Sequence, residues 1–278
     1  MRLVGRSRRP TGPHQSRRER ETVSEHLLEV KGAFKHFGAV QALRGANLHV
    51  DVGTVMALVG DNGAGKTVLT KSISGIYQLD EGEVLWEGSP VTISGPKDSA
   101  RLGIEVVYQD LALCDNLDVV ENMYLGRETR SSFRRLDEAK MEAETRKVLR
   151  DLSVTTLQSV RLPVASMSGG QRQSVAVAKA VLWNSKVVIL DEPTAALGVA
   201  QTRQVLDLTR RLATQGLAVI LISHNMSDVF EVADYITVLR LGQTVAEFKR
   251  TETTQREVVE AITAGQLSSV PGMEGVVA

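Results

Sequence analysis

The sequence predicts an α/β fold whose core is a mainly parallel sheet, with antiparallel β elements before it and a helical subdomain inserted into it. Three observations predict this fold class. Strand-like and helical segments alternate along most of the chain, a strand runs directly into a glycine-rich turn and a helix at residues 54–75, and residues 112–168 are mainly helical in pattern. We therefore expect one α/β domain that is interrupted by a helical insertion.

Length and composition exclude several classes of protein. The chain has 278 residues, of which 42% are hydrophobic, and 33 basic residues balance 33 acidic ones. Such a chain can bury a sizeable core, and its balanced charge gives no reason to expect nucleic acid as a partner. Its single cysteine, Cys114, rules out an internal disulfide and fits a reducing compartment. No apolar run approaches the roughly 20 residues that cross a bilayer, so any membrane role must come from another chain.

The two ends of the chain differ in composition from its middle. Residues 1–24 are crowded with Arg, Pro, Gly and Ser and lack the apolar stretch of a secretory signal. This composition predicts a disordered basic tail. The folded domain is expected to span residues 25–264, and residues 265–278 are expected to form a frayed C-terminal tail.

In the first half of the chain, apolar segments bounded by turn residues predict strands. The segment after the third strand has Leu69 and Ile73 at helical spacing, which predicts a helix directly after the glycine-rich turn. The predicted strands are "HLLEVKGAF" (26–34), "ANLHVDV" (46–52), "TVMALVG" (54–60), "GEVLWEG" (82–88) and "IEVVYQ" (104–109).

In the second half, longer periodic patterns predict helices between apolar strands. Within the insertion, a helix over 137–152 places Met141, Thr145, Val148 and Leu152 on one face. Two strands are predicted at 185–191 and 217–223, with a helix over 199–216 between them; a hairpin around Leu241-Gly242 and a terminal helix with a capping box from Thr254 to Glu257 follow.

Residues 60–67, "GDNGAGKT", fit the pattern G-x-x-x-x-G-K-[ST] between a predicted strand and a predicted helix. Glycines let successive backbone N–H groups turn toward a phosphate, and the helix N-terminus adds positive potential. Lys66 would reach the β and γ phosphates, and Thr67 would offer its hydroxyl to Mg²⁺. The alternative is a glycine-rich turn with a surface lysine. We predict a site for ATP and Mg²⁺ formed by Gly60, Asp61, Asn62, Gly63, Ala64, Gly65, Lys66, Thr67 and Val68.

Two adjacent carboxylates, Asp191 and Glu192, end the apolar run "VVIL" at residues 187–190. Such a run predicts a strand buried on both faces, which should not end in two charges without cause. If this strand neighbours the strand before the phosphate loop, Asp191 arrives beside Thr67 and holds Mg²⁺, while Glu192 polarises the attacking water. A helix N-terminus flanked by acids is the alternative explanation.

A second anion site is predicted where Ser168, Gly169 and Gly170 open a helix whose Val175, Ala178 and Leu182 share one face. One ATP cannot use two helix N-termini from such separated segments unless a second subunit brings one of them. The pattern therefore indicates a dimer. An ordinary serine cap with flexible glycines is the alternative.

The order of these motifs resembles the ATP-binding subunit of ATP-binding cassette (ABC) transporters over about residues 25–250. The resemblance rests on the phosphate loop, "YQD" (108–110), "SGGQ" (168–171), "VVILDEPT" (187–194) and "LISHN" (221–225). It implies that Gln109 senses the metal and the attacking water, that Ser168, Gly169, Gly170 and Gln171 clasp the γ-phosphate bound by the opposite subunit, and that His224 contacts the γ-phosphate and positions Glu192. Phe37 matches the aromatic that stacks on adenine, with His36 as the alternative.

Two residues depart from the pattern of that family. Met167 replaces the usual Leu, which should cost little. Gly198 stands where most members have an Asp that crosses the dimer interface, and we expect Gly198 to adopt φ > 0. However, "TAALGV" (194–199), "LDVVENMYLGRE" (117–128) and the segment 253–265 are similar to ATPases of bacterial monosaccharide importers.

The resemblance implies an ATPase that forms a head-to-tail homodimer and powers import of a small sugar. Its expected partners are transmembrane permease subunits and, indirectly, a periplasmic sugar-binding protein, with no nucleic acid. It would lie peripherally on the cytoplasmic face of the inner membrane. The alternatives are a non-sugar importer and a soluble ABC protein acting on DNA or ribosomes. A phosphate-loop kinase would leave "SGGQ" and His224 unexplained, and a dead regulatory cassette would not need Glu192.

Overall fold

A computed structural model describes residues 26–131 and 135–265. The predicted basic tail and, apart from Gly265, the predicted C-terminal tail lie outside these residues. Within them the chain forms two sheets and eight α-helices. The first sheet is antiparallel with strand order β2-β1-β4-β5, and it comprises β1 (Leu28–Phe37), β2 (Val40–Val50), β4 (Glu81–Trp86) and β5 (Ser89–Val91).

The second sheet has six strands in the order β10-β9-β3-β8-β7-β6, and all neighbours are parallel except the β9–β10 hairpin. A mainly parallel core with antiparallel elements before it confirms the predicted fold class. The strands are β3 (Val55–Val59), β6 (Ile104–Val107), β7 (Val187–Asp191), β8 (Ala218–Ile222), β9 (Tyr235–Arg240) and β10 (Gln243–Lys249).

The helices of the described residues occupy the connections between strands. None of them has the length and the apolar character that crossing a bilayer requires. They are α1 (Lys66–Ile73), α2 (Pro96–Leu102), α3 (Val119–Tyr124), α4 (Glu138–Asp151), α5 (Gly169–Val181), α6 (Val199–Thr214), α7 (Met226–Val232) and α8 (Gln255–Ala264).

Every predicted strand and helix has a counterpart in the structure, but four elements were not predicted. These are β5, α2, α3 and α7, which have between three and seven residues. Elements this short do not complete two helical turns or an alternating run, so their periodicity is too weak to detect. The strands β1 and β2 are also longer than predicted, because their hairpin at 38–39 extends both to Phe37 and Val40.

The core lies on both faces of the six-stranded sheet. In β7, Val187 and Ile189 pack toward the antiparallel sheet and α1, whereas Val188 and Leu190 pack toward the helices of the other face. All four side chains are fully buried, as predicted for a strand covered on both sides. Burying each such side chain contributes roughly 1.5–3 kcal/mol, so the sheet is a rigid base for the loops at its ends.

The helical insertion packs on this second face. In α4, Met141, Thr145 and Leu152 are buried, and Val148 is partly buried against the same cluster, which confirms the predicted face. Arg161 then connects α3 and α4 within the insertion through ion pairs. Its guanidinium lies 2.7 Å from a Glu142 carboxylate oxygen on α4 and 3.2 Å from the carboxylate of Asp118, the residue that caps α3.

The predicted hairpin turn and the predicted capping box of the last helix are both present in the structure. Leu241 and Gly242 both have positive φ, 48° and 81°, as a two-residue hairpin turn of type I′ requires. In the capping box of α8, the Glu257 N–H lies 3.3 Å from Thr254 Oγ1, and the Thr254 N–H donates to the Glu257 carboxylate at 2.8 Å.

The expectation that Gly198 adopts φ > 0 is wrong. Gly198 is the N-cap of α6 with φ −76° and ψ 163°, because the residue before a helix takes extended backbone that any residue can adopt. A Cβ built on Gly198 would meet nothing within 4 Å. Glycine is therefore not required here by backbone geometry.

Gly198→Asp is expected to stabilise the isolated chain. The new carboxylate would accept an N–H from the first turn of α6 and favour the positive helix end, which together contribute about 0.3–1 kcal/mol. For a domain of this size the midpoint of thermal unfolding should rise by about 1–3 °C. Gly198→Ala adds a Cβ without an acceptor and should give no rise. A lower midpoint for Gly198→Asp would contradict the capping geometry.

Candidate functional site

The candidate site lies where four consecutive parallel strands end. The phosphate loop follows β3, His224 follows β8, Asp191 and Glu192 end β7, and Gln109 follows β6. One part of the sequence-based expectation needs correction. The strand that ends at Asp191 is not the neighbour of β3, because β8 lies between them. This insertion places His224 between the phosphate loop and the carboxylates.

The phosphate loop owes its path to its glycines. Gly60, Gly63 and Gly65 have φ of 148°, 83° and 105°, values that L side chains rarely adopt. A Cβ on Gly60 would lie 2.1 Å from the carbonyl oxygen of Leu239, so this position also has no space for a side chain. On its other side the loop is bonded to the β9–β10 turn, where Gly242 N–H donates to Ala64 O at 2.9 Å.

Lys66 lies within this loop at the start of α1. Its ammonium donates to the carbonyl oxygens of Gly60 at 2.6 Å and Asp61 at 3.0 Å. Burial lowers the pKa of Lys66, and the nearby carboxylates of Glu192, Asp61 and Asp191 oppose that shift. The positive charge therefore faces the loop interior, where a phosphate would replace the two carbonyls as its partner.

The two carboxylates at the end of β7 have different surroundings. Burial raises the pKa of Asp191, the adjacent Glu192 raises it further, and Lys66 opposes both. A cation beside Asp191 would relieve this desolvated charge. Glu192 has φ 49°, a left-handed conformation that costs a non-glycine residue energy. Its N–H donates to Ile222 O at 3.0 Å, so β8 holds it in this conformation.

The structure brings His224 and Glu192 together. His224 Nδ1 lies 2.7 Å from Glu192 Oε2, the histidine side chain is 72% exposed, and the glutamate side chain is 16% exposed. The contact orients the imidazole and leaves Nε2 as its outward nitrogen. A half-buried carboxylate held by an exposed histidine is an arrangement that can serve general base catalysis.

Gln109 lies two residues beyond β6, on the far side of Asp191 from the phosphate loop, and it is exposed. Its side chain makes no hydrogen bond within the part of the chain that the structure describes. Thr67 is likewise exposed, at the second residue of α1. A hydroxyl, a carboxylate and an amide oxygen from Thr67, Asp191 and Gln109 are the hard oxygen donors that Mg²⁺ prefers. The donor set therefore fits this ion.

Ser168 and Gln171 begin α5 with a complete capping box. The Ser168 N–H donates to Gln171 Oε1 at 2.9 Å, and the Gln171 N–H lies 3.3 Å from Ser168 Oγ. Gln171 Nε2 also donates to Thr156 O at 2.7 Å. Among the described residues neither side chain bonds to the phosphate loop. The serine therefore is a helix cap, and it remains exposed at the positive end of α5.

Gly169 and Gly170 follow Ser168 where α5 packs closely against the start of α6. A Cβ on Gly169 would lie 3.0 Å from Leu197 Cδ2, and one on Gly170 would lie 3.1 Å from Gln201 Cβ. Side chains at these two positions would require Leu197 and Gln201 to shift by a few tenths of an ångström. Met167 precedes them and is buried in the core, where a flexible apolar residue can replace Leu.

His36 and Phe37, the two candidates for contact with an adenine, have different surroundings. The backbone N–H and Nδ1 of His36 lie 2.6 Å and 3.2 Å from Asp80 Oδ2. The Lys35 ammonium and the His36 N–H lower the pKa of Asp80 to about 2, so this carboxylate stays charged and keeps its contact to His36. Phe37 is 42% exposed and makes an edge contact with Tyr77 at 5.0 Å between ring centroids.

Phe37→Ala should weaken ATP binding without changing the chemical step. Stacking of a base on an aromatic ring contributes about 1–3 kcal/mol, so KM for ATP should rise about 5- to 150-fold while kcat changes little. His36→Ala is the matched control, and its KM should change less. Steady-state kinetics over a range of ATP concentrations measure both. A larger KM effect for His36→Ala would reverse the assignment.

One residue near the site, Asp228, was not predicted from the sequence. Asp228 is buried and accepts from Thr194 Oγ1 at 2.7 Å and from Asn225 Nδ2 at 3.1 Å. It thereby joins the loop after Glu192 to the loop after His224. An acidic residue in the first turn of a helix is already accounted for by the helix dipole, so this bridging role could not be predicted from the sequence.

The chain is similar to known proteins over most of its length. The profile of the family described as "ABC transporter" matches residues 43–195. The fructose import ATP-binding protein FrcA of Rhizobium meliloti is 44% identical over 250 residues, which cover 88% of this chain and 96% of the relative. The xylose/arabinose import ATP-binding protein XylG of Sulfolobus acidocaldarius is 43% identical over 244 residues, with coverage of 88% and 96%.

Solved structures match the fold over a similar range. The ADP conformation of an ATP-binding cassette of an ABC transporter superposes with a TM-score of 0.74 at 25% identity, covering 86% of this chain and 95% of that one. The range matched by the family profile contains the phosphate loop, Ser168–Gln171 and both carboxylates of β7, whereas His224 lies beyond it.

Proposed function

Because this chain belongs to the ABC transporter family, we propose that it is the ATP-hydrolysing subunit of an importer for a small sugar. It acts on ATP with Mg²⁺ and couples hydrolysis to transport through separate permease subunits. The support for a sugar is that two relatives, each at least 43% identical over 88% of this chain, are named as sugar import ATP-binding proteins.

In the proposed complex, residues Gly60–Val68 wrap the phosphates of ATP. The positive-φ glycines turn backbone N–H groups inward, and Lys66 exchanges its two carbonyl partners for the β and γ phosphates. Phe37 stacks on the adenine. Thr67, Asp191 and Gln109 would hold Mg²⁺, which would supply positive charge to offset that of the phosphates.

In the proposed reaction, Glu192 orients and deprotonates the water that attacks the γ-phosphate. His224 keeps the glutamate in place through its 2.7 Å contact and directs its outward nitrogen to the γ-phosphate. The Gln109 side chain would contact the water and the metal from the far side of Asp191. The base is half-buried and its histidine partner is exposed, an arrangement that suits general base catalysis.

A second copy of the chain completes each site in this proposal. Ser168, Gly169, Gly170 and Gln171 lie at the exposed positive end of α5 and have no bond to their own phosphate loop within the described residues. They clasp the γ-phosphate held by the opposite subunit in a head-to-tail homodimer. A capped helix N-terminus that faces outward suits an anion presented by a partner.

The proposed location is the cytoplasmic face of the cell membrane, where the chain binds permease subunits peripherally. A periplasmic sugar-binding protein would deliver the sugar to those subunits. The observation that carries the hydrolytic part of the proposal is the contact between His224 and Glu192, because it supports a positioned base close enough to Lys66 for their charges to interact.

Transport by the assembled complex tests the proposal. The genes that flank this one would identify the permease, which is then reconstituted with this chain in vesicles and supplied with ATP and a panel of monosaccharides including fructose, xylose and arabinose. We expect ATP-dependent uptake of at least one sugar and none with Glu192→Gln. Uptake of a different class of solute would show that the transported substrate is that solute and not a sugar. The absence of ATP hydrolysis would show that the chain is not an ATPase.

A further inference from the structure

Two histidines and two carboxylates meet far from the nucleotide site. His26 lies just before β1, His49 and Asp51 lie at the end of β2, and Glu247 lies on β10. Antiparallel pairing of β1 with β2 brings the two histidines near each other, since Leu27 N–H donates to Val50 O at 3.1 Å. Asp51 lies shortly before β3 begins, whereas the phosphate loop follows the other end of β3.

The side chains of this cluster are already in contact. His26 Nδ1 lies 2.6 Å from Asp51 Oδ1, and the rings of His26 and His49 stack with centroids 3.9 Å apart. His49 Nε2 lies 3.3 Å from Glu247 Oε1. One ligand atom from each of His26, His49 and Asp51 lies within 4.8 Å of the other two. Within residues 26–131 and 135–265 this is the one group of three potential metal ligands that close together.

The charges of the cluster favour a cation. Among the described residues, Asp51 and Glu247 pair only with histidines and not with any lysine or arginine. The four side chains are 20–32% exposed, so water screens their charges only in part. An imidazole nitrogen offers a lone pair, and a bound cation would add the positive charge that these two carboxylates do not receive from a lysine or an arginine among the described residues.

We propose that His26, His49 and Asp51, with Glu247 as the fourth ligand, form a binding site for a divalent transition metal, with Zn²⁺ as the best match. Two imidazole nitrogens and two carboxylate oxygens are a donor set that suits tetrahedral Zn²⁺. Mg²⁺ prefers oxygen ligands and does not suit the two nitrogens. The ligand atoms of His26, His49 and Asp51 already lie within 4.8 Å of one another, and Glu247, which now contacts only His49 among them, would turn toward the ion.

The position of the site indicates what the metal does. Its ligands come from the antiparallel sheet, through β1 and β2, and from β10 at the edge of the six-stranded sheet. Between these sheets, Thr244 Oγ1 also donates to Asn47 O at 2.6 Å. A metal ion would therefore clamp the two sheets together. Its effect is on stability, because no ligand lies at the strand ends that hold the nucleotide.

Cobalt absorption spectroscopy tests the site without relying on ATPase activity. The untagged full chain, stripped with EDTA and desalted, is titrated with Co²⁺ in the absence of nucleotide, and Zn²⁺ is then added as the competitor. We expect visible bands of four-coordinate Co²⁺ that saturate at one equivalent and disappear as Zn²⁺ displaces it. His49→Gln should weaken binding by more than the 10–100-fold that loss of an outer partner causes.

Two variants serve as controls, because the chain has other histidine–carboxylate pairs. His36→Gln removes the contact to Asp80 in the same sheet, and His224→Gln removes the contact to Glu192. Both should bind Co²⁺ as the unmodified chain does. Equal binding by His49→Gln, or loss of binding only in His224→Gln, would overturn the proposal, as would the absence of stoichiometric Co²⁺ binding by the unmodified chain.

Thermal unfolding is the second measurement. Zn²⁺ should raise the unfolding midpoint of the unmodified chain and of His36→Gln, and should not raise that of Asp51→Asn. Asp51→Asn keeps the size of the side chain, so it provides a test even if His49→Gln does not fold. A midpoint that rises equally with Zn²⁺ in Asp51→Asn and in the unmodified chain would contradict the assignment of Asp51 as a ligand.

Discussion

Glu192→Gln is expected to bind ATP normally and to hydrolyse it about 10²–10⁴-fold more slowly. Gln keeps the size of Glu192 and its hydrogen bond to His224, but it cannot accept a proton from water. The backbone at this position already has φ 49°, and Gln adopts it no less readily than Glu. The variant should therefore fold normally and accumulate as an ATP-bound dimer.

Single-turnover hydrolysis and size-exclusion chromatography with ATP measure the two effects. Glu231→Gln makes the same chemical change on the exposed surface of α7, where Glu231 forms no ion pair with any other described residue, and it should hydrolyse ATP at the normal rate. Hydrolysis by Glu192→Gln within about threefold of the unmodified chain would show that another group is the base.

The carboxylates of this site could be predicted because the sequence violates a simple rule there. A strand buried on both faces has no structural use for Asp191 and Glu192 at its end, so their presence implied a ligand. The phosphate loop was predicted from its glycine-rich pattern. Three of its glycines adopt positive φ, which L side chains rarely do. The local sequence was thus sufficient for prediction wherever one segment contains both the unusual backbone and the residues of the candidate site.

The remainder of the site depends on contacts between distant segments. The position of β8 between β3 and β7 could not be predicted, since parallel pairing leaves no local signal of strand order. The choice between His36 and Phe37 depends on Asp80, which is 44 residues from His36. Asp228 joins its two loops across 34 residues to Thr194. Such contacts arise from the tertiary fold, and a single sequence does not encode them in its periodicity.

Lys66→Ala should abolish most nucleotide binding by the isolated chain. The lysine is 9% exposed and donates to two loop carbonyls. Each charge-assisted bond to a phosphate contributes about 1.5–3 kcal/mol, so the affinity for ATP should fall at least about tenfold and by 100-fold or more if two bonds are lost. Equilibrium binding of a fluorescent ATP analogue measures this, and near-normal affinity would contradict the placement of Lys66.

Ser168 should behave differently, because its proposed phosphate lies on the other subunit. Ser168→Ala would confuse two effects, since it also removes the cap of α5, which costs about 1 kcal/mol. Ser168→Asp keeps a capping oxygen and places a negative charge against the phosphate. We expect normal ATP binding by the monomer, little dimer formation and little hydrolysis. Thr254→Ala removes an equivalent cap from α8 and should leave hydrolysis unchanged.

Mixing the Lys66→Ala and Ser168→Asp proteins distinguishes the two subunits. If Lys66 and Ser168 from opposite chains form one site, a mixed dimer carries both lesions in one site and neither in the other. Equal amounts should then recover about a quarter of the normal ATPase activity, since about half of the dimers are mixed and each has one intact site. If both residues act within one chain, every site in a mixed dimer carries a lesion and no activity returns. Crosslinking from residue 168 to the opposite phosphate loop with ATP bound separates that outcome from a requirement for two intact sites, because only the head-to-tail arrangement brings the two segments into contact.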